Sequence, residues 1–135
     1  MLCAEAGGYS RKKVGTAGEN LACKYLRQHG WRIVRRNFTA AYGEIDIIAE
    51  RGTVLAFIEV KTRAYGSLYA AQDAVTPKKQ ERLCQTAALY LAEHPASLQP
   101  RFDVCEIYFT EDRRALIRYL ENAFQDRNDS GQSNI

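Results

Sequence analysis

The chain contains no apolar run near the roughly 18 residues that a membrane-spanning helix requires. Its start, MLCAEAGGYSRKK, carries Glu5 and no long apolar stretch, so it does not read as an export signal. We therefore expect a cytoplasmic protein with no membrane partner. No two of its cysteines (Cys3, Cys23, Cys84 and Cys105) form a C-x-x-C pair, and neither histidine lies at zinc-ligand spacing from them. Without an export signal a disulfide framework is not expected either. Cys23, Cys84 and Cys105 sit among apolar residues and read as small buried hydrophobes kept reduced. Internal repeats and linkers are missing. Charge of one sign is missing too: the formal net charge is only +3, which permits a nucleic-acid partner without demanding one.

What is present is one domain's worth of sequence. A chain of 135 residues, 46% of them hydrophobic, can bury one real core but not two. Residues 1–13 read as a flexible basic lead ending in Arg11-Lys12-Lys13, 14–124 as the domain, and 125–135 as a flexible tail without apolar period. Thr16-Ala17-Gly18-Glu19 matches a capping box and predicts a helix start near Thr16. Leu21, Ala22, Tyr25 and Leu26 continue it with helical spacing, and His29-Gly30 ends it. Trp31 to Arg36, Glu44 to Glu50 and Val54 to Lys61 read as strands, with Arg51-Gly52-Thr53 as a tight hairpin turn. A Gly/Ser/Tyr-rich loop spans Ala64 to Asp73. Thr76 is a natural N-cap and Pro77 suits the first position of a second helix. Its apolar face is expected to be Leu83, Cys84, Ala87, Ala88 and Leu91, and His94-Pro95 ends it. Phe102 to Phe109 and Ala115 to Leu120 complete an order α-β-β-β-α-β-β, a central mixed sheet flanked by helices.

The chemistry concentrates in Gly43-Glu44-Ile45-Asp46 and Phe57-Ile58-Glu59-Val60-Lys61-Thr62-Arg63. Alternation along a strand puts Glu59 and Lys61 on one face, with Ile58 and Val60 on the other. If Glu50 pairs near Leu55, Asp46 falls opposite Glu59, at Cβ separations of about 5 Å. Two carboxylates that close repel each other. Lys61 supplies one neutralising charge, and a hard divalent cation such as Mg²⁺ could supply two more. Hydrolysis of a phosphodiester uses such a group: an ion on the phosphate, an acidified water and an adjacent lysine. The same D…ExK spacing also describes a solvated ladder of surface ion pairs.

The order of Glu19 in a first helix, Asp46 after a strand start and Glu59-x-Lys61 on the next strand resembles the PD-(D/E)xK nucleases, which include restriction-endonuclease-like folds and Holliday-junction resolvases. More narrowly, Gly18-Glu19-Asn20-Leu21-Ala22, Asn37-Phe38, Gly43-Glu44-Ile45-Asp46, Phe57 to Arg63, Arg101-Phe102-Asp103-Val104 and Glu121-Asn122-Ala123-Phe124 resemble the YraN-like family of bacterial proteins, which are predicted endonucleases. The resemblance spans residues 15–124. It lacks the superfamily's proline before the aspartate, where Ile45 stands. It implies a restriction-endonuclease-like α/β fold, with Asp46, Glu59 and Glu19 holding Mg²⁺ or Mn²⁺ and Lys61 orienting the attacking water. Glu19 serves equally as the capping-box residue. Gln80, near the start of the second helix, is a candidate site residue or a satisfied buried amide. Arg63 is a candidate to hold a phosphate or to brace the carboxylates. Lys78, Lys79 and Arg82 are candidate phosphate contacts, helped by the anion-favouring helix N-terminus, or a solvated helix face. Glu44 is a further ligand candidate, and Asp103 is structural or supports the site from behind. His29 and His94, at helix C-termini, are given no catalytic role. A resolvase-like activity on DNA would imply a homodimer. The alternatives are a nucleic-acid-binding protein that keeps the nuclease fold without cleavage, and a partner-binding protein whose charged cluster is structural.

Overall fold

The computed structural model describes residues 11–64, 75–112 and 114–126. The first ten residues of the expected lead, nearly all of the Ala64–Asp73 loop and the tail from residue 127 lie outside them. The elements run α1 (Arg11–Gln28), β1 (Arg32–Ala40), β2 (Gly43–Arg51), β3 (Val54–Ala64), α2 (Pro77–Glu93), β4 (Gln99–Phe109) and β5 (Ala115–Phe124). They build one five-stranded sheet in sequential order. Only the β3–β4 pair is parallel, and α2 is the crossover that such a pair requires. This is the expected α-β-β-β-α-β-β order, a mixed sheet consistent with a restriction-endonuclease-like fold.

The helices cover opposite faces. Ala22, Cys23 and Leu26 of α1 pack with Ile47, Ala49, Ala56, Ile58, Cys105 and Ile107. Leu83, Ala87 and Tyr90 of α2 pack with Ile48, Leu55, Phe57 and Val104. Alternation along β3 thus sends Ile58 to the α1 layer and Phe57 to the α2 layer, as the sequence predicts. Burial drives the thiol of Cys105 up to about 12, so it behaves as a small hydrophobe.

Three local expectations are corrected. The first helix begins at Arg11, so Thr16 and Glu19 lie well inside it and form no capping box. The buried face of α2 is Leu83, Thr86, Ala87 and Tyr90, while Ala88 is exposed and Cys84 half-buried. Tyr90 sets that rotation by meeting Phe38 and Phe57 edge-on, and the Thr86 hydroxyl enters the core because it donates to the Arg82 carbonyl. β1 runs on to Ala40 instead of ending at Arg36. The helix limits of α2 follow prediction: Thr76 accepts from the Lys79 N–H, and His94 is the C-cap.

At the other end of the sheet Asp103 is fully buried and fully satisfied. Arg101 donates to both of its oxygens at 2.8 and 2.9 Å, the Tyr119 hydroxyl at 2.5 Å, and the Asn122 N–H at 2.8 Å. The β4–β5 register shifts here and Asn122 adopts φ +52°, so the carboxylate supplies the acceptor that the bulge denies to that N–H. Asp103 is therefore structural. Asp103→Ala strands Arg101 and the Tyr119 hydroxyl, and urea denaturation should show a loss of about 3–5 kcal/mol.

Candidate active site

The site forms because β2 loosens its hold on both neighbours at one residue. The β2–β3 ladder pairs Glu50 with Leu55, as expected, and closes at Ile47↔Ile58. The next rung would oppose Asp46 and Glu59, and it is not made. Asp46 Oδ2 instead accepts the N–H of Val60 at 2.8 Å. On the other side the β1–β2 ladder passes from Arg36↔Ile47 to Phe38↔Ile45 without a rung at Asn37, which adopts φ +54°. Side-chain parity changes there. Ile45 joins Ile48 in the α2 core instead of Ile47 in the α1 core.

This distortion brings Glu44 and Asp46 together with Glu19 of α1. One carboxylate oxygen from each lies within 4.8 Å of the others. Gly18 makes the approach possible. A Cβ on Gly18 would lie 2.2 Å from the Thr62 methyl of β3, so only glycine lets α1 sit this low beside Glu19. Burial and the charges of Glu59, Glu19 and Glu44 raise the Asp46 carboxyl to about 7, against the Val60 hydrogen bond, which pulls it down. Arg36 gives partial relief, 3.8 Å from Glu19.

Glu59 is buried beside this trio, and one oxygen faces two ammonium groups. Lys79 Nζ bonds Glu59 Oε1 at 2.7 Å, and Lys61 Nζ stands 3.6 Å from the same atom. Burial opposes charge on both lysines. The Glu59 contact outweighs it for Lys79, whose pKa rises; Lys61, beside the Lys79 ammonium, is lowered.

Glu19, Asp46, Glu59 and Lys61 thus share one site with Glu44 added and Lys79 inside it. The ligand trio that the geometry makes compact is Glu19, Glu44 and Asp46, with Glu59 turned toward the lysines. The other candidates make contacts of their own. Gln80 donates to the Val75 carbonyl at 2.9 Å and lines a cleft with Cys84, Gln85 and Gln125. Arg63 bonds the fully buried Glu106 at 3.1 Å. Lys78 and Arg82 line an adjoining cavity of about 410 Å³ with Tyr42, Glu44 and Lys79. The sequence signal for Lys79 was its place in the first turn of α2; what it touches depended on the crossover.

Three acidic oxygens this close, one of them driven toward protonation, suit a hard divalent cation, which takes carboxylate oxygens and keeps waters. The donor set fits Mg²⁺ or Mn²⁺ and, having no thiolate or imidazole, does not suit a soft metal.

The fold and this carboxylate–lysine cluster define a mixed-sheet α/β domain with an acidic, lysine-flanked site at the fork of its central hairpin. The chain belongs to the uncharacterised protein family UPF0102, whose model matches residues 18–107. It is similar to a UPF0102 protein of Symbiobacterium thermophilum, 45% identical over 84% of this chain and 97% of that one. It is also similar to those of Syntrophomonas wolfei, at 40% over 84% and 98%, and of Nocardia farcinica, at 39% over 84% and 91%.

Two measurements check the geometry. Gly18→Ala should cost about 1–3 kcal/mol in thermal denaturation by overpacking, and adding Thr62→Ser, which removes the facing methyl, should restore most of it. The raised Asp46 pKa means the folded metal-free protein binds more protons than the unfolded chain between about pH 4 and 7. Its contribution to stability therefore falls as pH rises through that window. Asp46→Asn should remove this part of the slope and make the metal-free protein more stable than wild type at pH 8.

Proposed function

We propose that this protein is a metal-dependent phosphodiesterase acting on nucleic acid, an endonuclease of the PD-(D/E)xK type with DNA as its expected substrate. The observation that carries the reading is the convergence of Glu19, Glu44 and Asp46 within 4.8 Å, with Lys61 and Lys79 sharing the adjacent Glu59. Asp46, Glu19 and Glu44 would hold Mg²⁺ or Mn²⁺, with Glu59 joining as its lysines turn to substrate. The ion, when bound, supplies Lewis-acid stabilisation of the phosphate and a more acidic water.

The chain's own residues do the rest. Lys61, its Nζ 3.6 Å from Glu59 Oε1, is suited to orient the attacking water or to stabilise the developing charge. The water oxygen forms the new P–O bond and releases a proton to solvent, the ester P–O bond breaks, and the leaving oxygen takes up a proton from solvent. Lys79, kept charged beside Glu59, offsets the charge that builds on the non-bridging oxygens. Lys78 and Arg82 extend positive charge away from the site along α2. Action on a symmetric junction would require a homodimer, so that two such sites face the two strands to be cut.

Incubation with labelled duplex, flap, single-stranded and four-way-junction DNA tests the reading, with Mg²⁺, Mn²⁺ or EDTA. Cleavage should need metal, and both Asp46→Ala and Lys61→Ala should lower it by at least about 100-fold. Salt-dependent binding of the same substrates without cleavage under either metal would select a non-catalytic nucleic-acid-binding protein instead.

A further inference from the structure

The cavity beside the carboxylates has two unlike walls. One is the β1–β2 turn, Tyr42, Gly43 and Glu44; the other is the start of α2, with Thr76, Lys78, Lys79, Arg82 and Leu83. Each wall also reaches the catalytic cluster, through Glu44 on one side and Lys79 on the other. Tyr42 is 50% exposed. The turn that carries it continues into Gly43 at φ +148°, a conformation that glycine tolerates and other residues rarely adopt.

Across the cavity Lys78 and Arg82 stand four residues apart on one helix, where like charges oppose helix formation. Neither has an ion-pair partner among the described residues, whereas neighbouring Lys79 is engaged by Glu59. Tyr42 and the two cations thus face the cavity, the cations without an ion-pair partner among the described residues. A volume of about 410 Å³ is in the range of small-ligand sites. An aromatic residue opposite two cations, with buried Leu83 as the apolar part of the wall, suits a base attached to a phosphate backbone.

We propose that this cleft holds an unpaired nucleotide next to the phosphate to be cut, its base stacked on Tyr42 and its flanking phosphates on Lys78 and Arg82. The assignment rests on the phosphodiesterase reading for the phosphate that lies at the carboxylates, and narrows the substrate to strands with an unpaired base at that point. A base inside a duplex has both faces covered by its neighbours and cannot stack on the ring without leaving the helix. The stacking contact is indifferent to base identity, so the cleft selects strand state instead of sequence. The shared chemistry of single-stranded DNA and RNA fits it.

The test uses the full chain in EDTA, with short single-stranded DNA and RNA oligonucleotides carrying 2-aminopurine, whose fluorescence falls on stacking. The duplex form of the DNA serves as control. Wild type should quench the probe and bind single strands more tightly than duplex. Tyr42→Ala should abolish quenching and weaken single-strand binding at least about fivefold, while Tyr42→Phe keeps both. Lys78→Glu and Arg82→Glu should each weaken binding and flatten its salt dependence. Comparing the DNA and RNA arms names the preferred strand. Absent quenching with wild type, equal affinity for duplex, or an unaltered Tyr42→Ala variant would overturn the proposal. Adding Mg²⁺ to the same oligonucleotides separates the two claims. Tyr42-dependent quenching without cleavage sinks the enzyme reading and leaves the cleft; cleavage without Tyr42 dependence does the reverse.

Discussion

The hydrogen bond from the Val60 N–H to Asp46 Oδ2, at 2.8 Å, is the contact on which the arrangement of this site turns. In an undisturbed hairpin the last rungs would spend the β2 and β3 backbones on each other, and Asp46 would stand on the sheet face like any strand residue. Here the ladder stops at Ile47↔Ile58, and a side chain takes over the backbone partner. The strands part and Asp46 is held at the fork. The parity change that follows brings Glu44 to the same side, and Gly18 lets α1 descend until Glu19 completes the trio. Four elements meet at one point because one strand stops pairing there.

Two buried carboxylates in this fold receive opposite treatment, and the contrast separates architecture from chemistry. Asp103 is surrounded by donors: a bidentate arginine, a tyrosine hydroxyl and a backbone N–H. It gains nothing from an added ligand. Asp46 has one backbone donor, and its burial together with the charges of three carboxylates pushes its pKa to about 7. Carboxylates crowded so as to shift a pKa this far are a mark of functional sites. Nearby, Glu59 shows the milder solution, with one oxygen facing two lysines.

Much of this was legible in the residues. Turn chemistry at Arg51-Gly52-Thr53 and the Ile- and Val-rich runs on either side were enough to give the β2–β3 register, because hairpin length fixes pairing. Thr76-Pro77 gave the start of α2 to the residue. The fork was not legible, since a period-2 pattern assumes that pairing continues, and nothing in Ile45-Asp46-Ile47 announces that it stops. The opposed Asp46–Glu59 rung was accordingly not found, and Glu44 stands closer to Asp46 than spacing implied. Thr16-x-x-Glu19 imitated a capping box inside a helix that starts earlier, because the motif is local and the start of α1 is not encoded by it. The helical stripe was placed one residue off: Tyr90 anchors α2 on Phe38 and Phe57. Gln80 bonds the Val75 carbonyl, in keeping with the satisfied amide that the sequence offered as one of its two readings. Lys79 could be placed in the first turn of α2 from sequence, but its contact with Glu59 is made across the crossover and has no local signature.

The central claim is that the charge crowded at this fork is a divalent-cation site. Crystals of the protein soaked in Mn²⁺ and measured at a wavelength where manganese scatters anomalously test it most directly. The account predicts one strong anomalous peak bonded to Asp46 and to at least one of Glu19, Glu44 and Glu59, lost in crystals of Asp46→Asn. No peak at the fork, or a peak there that survives the substitution, would contradict it.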